Sequence, residues 1–503
     1  MSFAHTLNRR MLLQATTLGL GSLALPRLTT LAQTPTSVDE ITIDLSSEPA
    51  SLAPSQVYEV NGWSVVHSIF DAPFEYDSNG QMIMVAAESL TQVDDTTFEI
   101  KLRPGITFHD GTPLTAQSLV ASYQQIVNAD TGSSIAGNFA TITSVDAVDD
   151  LTARISVNAP SPWLPAQIAV WMLCLPPSAA AATDTSNQPV GTGPYSFVEW
   201  KRGESITLAA NPNYDNPAKG KPIAKRVVFR FVTEAATRDA DLQSGTAQIV
   251  RAVPPDQIKQ VENSGAQVML VPLSCVAFDR IATDVKPFDD VRVRQAINYA
   301  VDVDAIRKAL LADTGQRLPN LFVPGGMGFD GSLAPYPYDP DKAKSLLSDA
   351  GVSGLSTTIA ATNSERKDLV EAIAAYLTDA GIKTTVEVQE VATFNGQWTD
   401  PSAAPLRYAT WRPMFDPFNL LNLVFSENGF LSRHKNPDIQ TLIDQAAIAT
   451  DPATRAGLYQ QLGKVMSEQP AALYLWDVTA LYGTAAGLNW SPRPDDAIVP
   501  TLR

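Results

Sequence analysis

The chain has 503 residues, of which 45% are apolar. That is too long for one core and apolar enough to fill two or three. Its 53 acidic side chains outnumber 36 basic ones, for a formal charge of -17. With no basic cluster, this surplus sets nucleic-acid binding aside. Cys174 and Cys275 lie far apart and make neither a disulfide framework nor a zinc site. They are expected to be buried small hydrophobes, with a bridge between them as the alternative in an oxidising compartment.

Arg9 and Arg10 precede a mild apolar run that ends near Leu25. Thr30-Leu31-Ala32 then offers small residues to signal peptidase. Residues 1–32 are therefore expected to be a signal peptide. The paired arginines point to the twin-arginine route, with an ordinary Sec signal as the alternative. Pro26 and Arg27 cut the run short of the roughly 20 apolar residues a spanning helix needs. No cysteine stands near the cleavage point, so the expected product is exported, without a lipid anchor, into a periplasm.

Val38 to Leu45 alternates through Ile41, Ile43 and Leu45 and reads as a strand. A loop from Ser47 to Pro54, the segment Val57 to Trp63 and a helix from Val65 to Phe74 follow. Phe98, Ile100 and Leu102 alternate with charged residues, a second half-buried strand. Arg103-Pro104-Gly105 turns the chain, and Ile106 with Phe108 predicts a short further strand. Thr115 stands at a helix N-cap, with Leu114 and Leu119 as a hydrophobic staple. Leu119, Val120, Tyr123, Ile126 and Val127 are expected on its apolar face.

Two strand-like runs in 142–157 flank Asp149-Asp150 as a hairpin. The stretch Pro160 to Pro177 is proline-rich and aromatic, with Trp163 and Trp171, and Ala179 to Gln188 reads as a surface turn. Gly191-Thr192-Gly193-Pro194-Tyr195 opens a further strand pair. A strand over 225–232, a helix over 237–247 and re-entry at Ile249 suit an α/β sheet with crossover helices. Asp289 or Asp290 caps a helix that buries Val293, Ala296, Ile297 and Ala300. Later helices are expected at Ser364–Gly381 and Asp451–Glu468, with a strand at Thr384–Val388, while Ala472–Leu481 is apolar and is expected to return toward the first part of the fold.

Three stretches carry a family likeness. LRPGITFHDGTPLTAQSLVASY, the pattern GTGPYxFxxWxxGxxxxLxxNPxY from Gly191, and PFxDxRVRQAxNYAxD from Pro287 closely resemble the extracytoplasmic solute-binding proteins of family 5. These are receptors of ABC importers for peptides, nickel or opines. Weaker similarity, including EPxxLxP from Glu48, extends over nearly the whole mature chain.

The resemblance implies an α/β fold of the two-lobed periplasmic-binding-protein type (class II, cluster C), with two hinge crossovers. By chain order the first lobe would hold residues 38–272, including an inserted subdomain at about 76–188. The second would hold 273–475, with 476–503 returning to the first. The implied function is capture of an oligopeptide, an opine-like compound or another modified solute by hinge closure. The implied partners are that ligand and an ABC permease and ATPase complex, with the receptor a monomer and no cofactor.

Peptide-binding relatives carry a WxxDYxxP-like segment whose aspartate pairs with the peptide's amino group. Here the segment reads Trp411-Arg412-Pro413-Met414-Phe415-Asp416-Pro417. Trp411 is kept, Met414 stands at the aspartate's place, and Asp416 fits only after a shift. Arg366 is the candidate for a ligand carboxylate, or else a solvated first-turn residue. Phe394 and Trp398 would wall the cleft, or else fill a loop core. Tyr58, Asn61 and Trp63 carry the same two readings, and Arg412 would face either the ligand or the lobe interface.

No HExxH, CxxC, GxSxG or P-loop occurs, and the histidines are scattered. Neither a catalytic nor a metal centre is expected. Nickel chelates fit less well than organic solutes, since no histidine falls in a cleft segment. The alternative, a secreted hydrolase on a lobed scaffold, has no motif behind it.

Overall fold

In the computed structural model, which describes residues 38–181 and 186–502, ten strands join in one mixed sheet. In chain order they are β1 (Val38–Leu45), β2 (Tyr195–Lys201), β3 (Ser205–Ala210), β4 (Ala224–Phe231) and β5 (Ile249–Arg251). Then come β6 (Gln267–Ile281), β7 (Ser356–Thr362), β8 (Lys383–Gln389), β9 (Leu406–Trp411) and β10 (Ala472–Thr484). Their spatial order is β8-β7-β9-β6-β10-β5-β1-β4-β3-β2. The expected leader, and the middle of the turn at Ala179 to Gln188, lie outside the described residues.

Two long strands hold this sheet together. β6 and β10 pair antiparallel along most of their length, with register shifts around Val276. One end of β10 pairs with β5, whose neighbour β1 runs parallel to it. The other edge of β6 pairs antiparallel with β9, which runs parallel to β7. One large core packs around β1, β3, β4 and residues 52–179. Two more cores pack on opposite faces of the β6–β9–β7 region. Alternation explains the division: Ala277 and Ile281 face one core, Val276 and Phe278 the other.

A separate four-stranded antiparallel sheet carries the stretch expected at 98–102, seen as Thr97–Leu102, and the hairpin Ile142–Ala147 with Thr152–Val157. The strand expected at Ile106–Phe108 is instead a turn closed by one bridge, Thr107 to Pro113. The following helix, Ala116–Val127, is capped at Thr115, and Leu114 and Leu119 are buried. Its apolar face is narrower than periodicity suggested: Val127 is 42% exposed.

The helix expected at Val65–Phe74 is α1 (Val60–Ile69), five residues earlier. The Glu59 carboxylate accepts the Gly62 N–H at 2.8 Å and starts it at Val60. Gly191 and Gly193 matter for closeness rather than for a turn. A Cβ on either would lie 2.1 and 2.6 Å from the Ile69 carbonyl oxygen. Both cysteines are free and buried.

A buried ionic knot joins residues far apart in the chain. Lys219, wholly buried, donates to Asp71 at 2.9 Å and to Glu75 at 2.7 Å. Arg493, near the chain's end, donates to Glu75 at 2.5 Å and to Asp495. Burial favours a neutral Glu75, but the Lys219 and Arg493 charges outweigh it and hold the carboxyl well below its usual range.

Lys219→Met leaves Asp71 without its cation, and is expected to cost about 3–5 kcal/mol in a denaturant titration. The lowered Glu75 value stabilises the fold fully above its ordinary pKa of 4.5, and that contribution fades as pH falls further. Glu75→Gln should therefore flatten the acid limb of a stability–pH curve.

Candidate functional site

A crevice lies where the large core meets the segment after β9. One wall is α2 (Leu164–Trp171), the other the turn from Pro413 to Asn419. The crevice is nearly shut, with a cavity volume of about 10 Å³, and is lined by Gln167, Val170 and Trp171 opposite Pro413, Phe415, Asp416 and Asn419. A second, of about 70 Å³, continues past Gln167 and Asn419 toward Asn138, Trp163 and Phe418.

The walls match in chemistry. Phe415 stacks on Tyr76 with ring centres 3.7 Å apart, and Phe418 on Trp163 at 4.0 Å. The Asn419 amide donates to Asn138 at 2.9 Å and to Gln167 at 3.3 Å. Stacked pairs are worth about 0.5–1.5 kcal/mol each beyond their buried area. These contacts are modest and join residues far apart in sequence, as a reversible closure needs. The Asn138 amide nitrogen and the Trp63 indole nitrogen are buried without an acceptor.

The residues singled out in the sequence fall in three places. Tyr58 and Trp63 sit against the crevice: Tyr58 stacks on Trp171 at 5.5 Å, and Trp63 meets it edge-on at 4.9 Å. Tyr58 is also 43% exposed. Trp411 is buried, and its indole N–H donates to Asn419 at 3.2 Å, so it braces a crevice residue from behind.

Asn61, Arg412 and Asp416 form a second group, held in place by other charges. Asn61 donates to Ser46 and Ser47 and accepts from Arg251. Arg412 donates to Asp496 at 2.6 Å and to Thr410 at 2.9 Å. Asp416 lines the crevice but receives both arms of Arg455, at 2.5 and 2.9 Å. Met414 is buried in the core behind the turn.

Three residues lie elsewhere. Arg366 donates to Asp368 and to the Leu310 carbonyl, with a side chain 41% exposed. Phe394 and Trp398 are buried in the core, edge to face at 5.6 Å, with the Arg407 guanidinium 3.9 Å from the Phe394 ring. Their aromatic mass fills the space behind β9.

Gln167, Trp171, Asn138 and Asn419 were not legible as site residues. The first two sit in a stretch read as proline-rich and aromatic, where Trp171 was noted without a site role. One signal was present: Gln167 is the single polar side chain in LPAQIAVW. Among the described residues there is no group of three or more His, Cys, Asp or Glu that could hold a metal. Nor is there among them a helix long and apolar enough to cross a membrane.

Two halves that share a central sheet and meet at a crevice of aromatic and carboxamide groups define a ligand-capturing protein of the two-lobed periplasmic type. The chain belongs to the bacterial extracellular solute-binding proteins, family 5, whose middle-region profile matches residues 81–432. It is 28% identical over 461 residues to the glutathione-binding protein GsiB of Pectobacterium atrosepticum, covering 85% of this chain and 87% of that one. It is 27% identical over 454 residues to GsiB of Shigella flexneri, covering 84% and 85%.

Among solved structures it resembles AgaA of A. tumefaciens in complex with agropinic acid, at TM-score 0.79 and 25% identity, covering 89% of this chain and 94% of that one. It shares its fold with DppA of Helicobacter pylori in complex with the peptide STSA, at TM-score 0.81 and 22% identity, covering 92% and 98%.

Asp416→Asn removes the partner of a buried guanidinium. It is expected to lower stability by about 3–5 kcal/mol in thermal or denaturant unfolding of the ligand-free protein. A residue whose sole partner was the ligand would leave that baseline unchanged.

Proposed function

We propose that this protein is the periplasmic receptor of an ABC importer. It takes up a small organic solute, an oligopeptide, an opine-like compound or another modified compound, and hands it to the permease and ATPase. The observation that carries this reading is the crevice: one wall is α2 of the large core, the other is the turn after β9, and they meet through side chains. A ligand that touches both walls favours the shut state over the open one, and that difference in affinity is the whole driving force for closure.

In this reading Gln167, Trp171 and Asn419 contact the solute, with Tyr58 at the rim and Trp63 and Trp411 holding them. Asn61, Arg412 and Asp416 fix the walls. The crossovers would run through β6 and β10, with lobes near residues 38–272 and 273–475 and the remainder returning to the first. The chain would reach the periplasm through the twin-arginine leader, without a lipid anchor, and act as a monomer. The family consists of transport receptors, and the solute is expected to leave unaltered.

The state of Asp416 bears on the choice of solute. A free carboxylate would bind an ammonium group through a charge-assisted bond worth roughly 1.5–3 kcal/mol. Asp416 is already satisfied by Arg455, and Met414 supplies no charge. This favours solutes recognised through rings, amides and hydroxyls over those held by a free amino terminus.

A thermal-shift screen with peptides, opines and glycosides tests the reading. A true solute at 100 times its dissociation constant should add about 2.7 kcal/mol of stability and be recovered intact. Trp171→Ala is expected to weaken that binding at least tenfold with the ligand-free fold retained. Turnover of the bound compound would contradict the proposal.

A further inference from the structure

In the second half of the molecule, two arginines face one another across adjacent antiparallel strands. Arg280 on β6 lies directly opposite Arg407 on β9. Their relative exposures are 1% and 0%. Both guanidinium carbons lie 5.4 Å from the centre of the Trp398 ring, so both side chains project to the same face of the sheet. Trp411 and its partner Val276 sit four residues further along the same strands. That places the pair about 13 Å from the crevice end of β9.

The hydrogen bonding of this pair is incomplete. All three guanidinium nitrogens of Arg280 are buried with no acceptor, as are Nε and Nη1 of Arg407. The remaining nitrogen of Arg407 donates to the Phe394 carbonyl. Ring faces attract a guanidinium above them but do not accept the N–H groups in its plane.

No carboxylate hydrogen-bonds to either guanidinium, although Asp284 and Asp279 act on Arg280 at a distance, and Glu387 and Asp279 on Arg407. Arg433, a third buried cation, is tied to Asp284 at 3.0 Å and to the Asp400 carbonyl. Glu387 is exposed two strands away, and its carboxylate accepts from Gln389. Asp279 neighbours Arg280 but alternates to the opposite face, and its buried carboxylate receives no side-chain donor. His434, nearby in the chain to Arg433, is pushed down to about 3 by burial and stays neutral. Burial and the neighbouring Arg407 and Arg433 charges press Arg280 down to about 9, still protonated at neutral pH.

We propose that Arg280 and Arg407 hold a small inorganic anion of the chloride class between their in-plane N–H groups, as a structural ion of this half. Two opposed cations favour an anion over water, because water satisfies donors without offsetting the repulsion. The anion would tie β6 to β9, the strand that leads into the turn walling the crevice. The site is independent of which solute the crevice takes.

The test uses the whole mature protein. Crystals soaked in sodium bromide are expected to show an anomalous peak between the Arg280 and Arg407 side chains. The melting temperature is expected to be about 2–5 °C higher in sodium chloride than in sodium gluconate of equal ionic strength. Arg407→Met should erase that salt difference while folding normally. If the variant fails to fold, Arg280→Met and the wild-type bromide map still decide. Bromide found only at the surface, or equal melting in the two salts, would overturn the proposal.

Discussion

The Asp496 carboxylate is the point where the parts of this molecule are tied together. It accepts from Arg251 at the end of β5, from Arg412 just after β9, and from the Tyr482 hydroxyl on β10. It is 1% exposed and sits at a positive φ of 71°, a backbone region that aspartate tolerates better than most residues. Arg251 also reaches Asn61 in α1 at 3.3 Å. One buried anion therefore fixes the first helix, two central strands and the turn that forms a crevice wall. Burial would lower Arg412, but negative groups beside it, Asp496 and Glu365 among them, raise it instead. An ion pair in that state is costly to break from one side.

Around this fixed point the crevice is built from weaker contacts. Tyr76 with Phe415 and Trp163 with Phe418 are ring stacks without charge. Asn419 with Asn138 and Gln167 are carboxamide bonds that a ligand amide or hydroxyl could replace one for one. Charges in the same region are held back from the gap: Asp416 by Arg455, Arg412 by Asp496. Strong interactions, the Arg412–Asp496 pair across the proposed lobe boundary among them, thus hold the end near the β6 crossover, and exchangeable ones line the space between the walls. That separation suits a receptor that must open again, because a ligand shifts the balance only by its differential affinity for the shut state.

Much of the fold was legible because short-range physics wrote it. The alternation in Val38–Leu45 and Thr97–Leu102, the caps at Thr115, Asp290 and Asp451, and the Gly381 that ends the helix before β8 are local signals. The start of α1 was misread because its cap is the Glu59 side chain, a weaker N-cap type than the Ser, Thr, Asp or Asn usually sought. The role of the GTGPY glycines was also hidden, since the carbonyl that needs them lies on a helix more than a hundred residues earlier.

The site was less legible for the same reason. Trp411 and Asp416 could be marked by resemblance, but their partners, Asn419 from the same turn and Arg455 from a later helix, are set by tertiary packing. Phe394 and Trp398 resembled wall aromatics in sequence, whereas arginines on two neighbouring strands draw them into the core. Gln167 and Trp171 became visible only when α2 was seen opposite the 413–419 turn. The measurement that bears most directly on the whole account is small-angle X-ray scattering of the mature protein, first stripped of ligand and then saturated with a solute it retains. The account predicts that the radius of gyration falls as the walls close. Superimposable curves in the two states, with binding confirmed in the same samples, would contradict it.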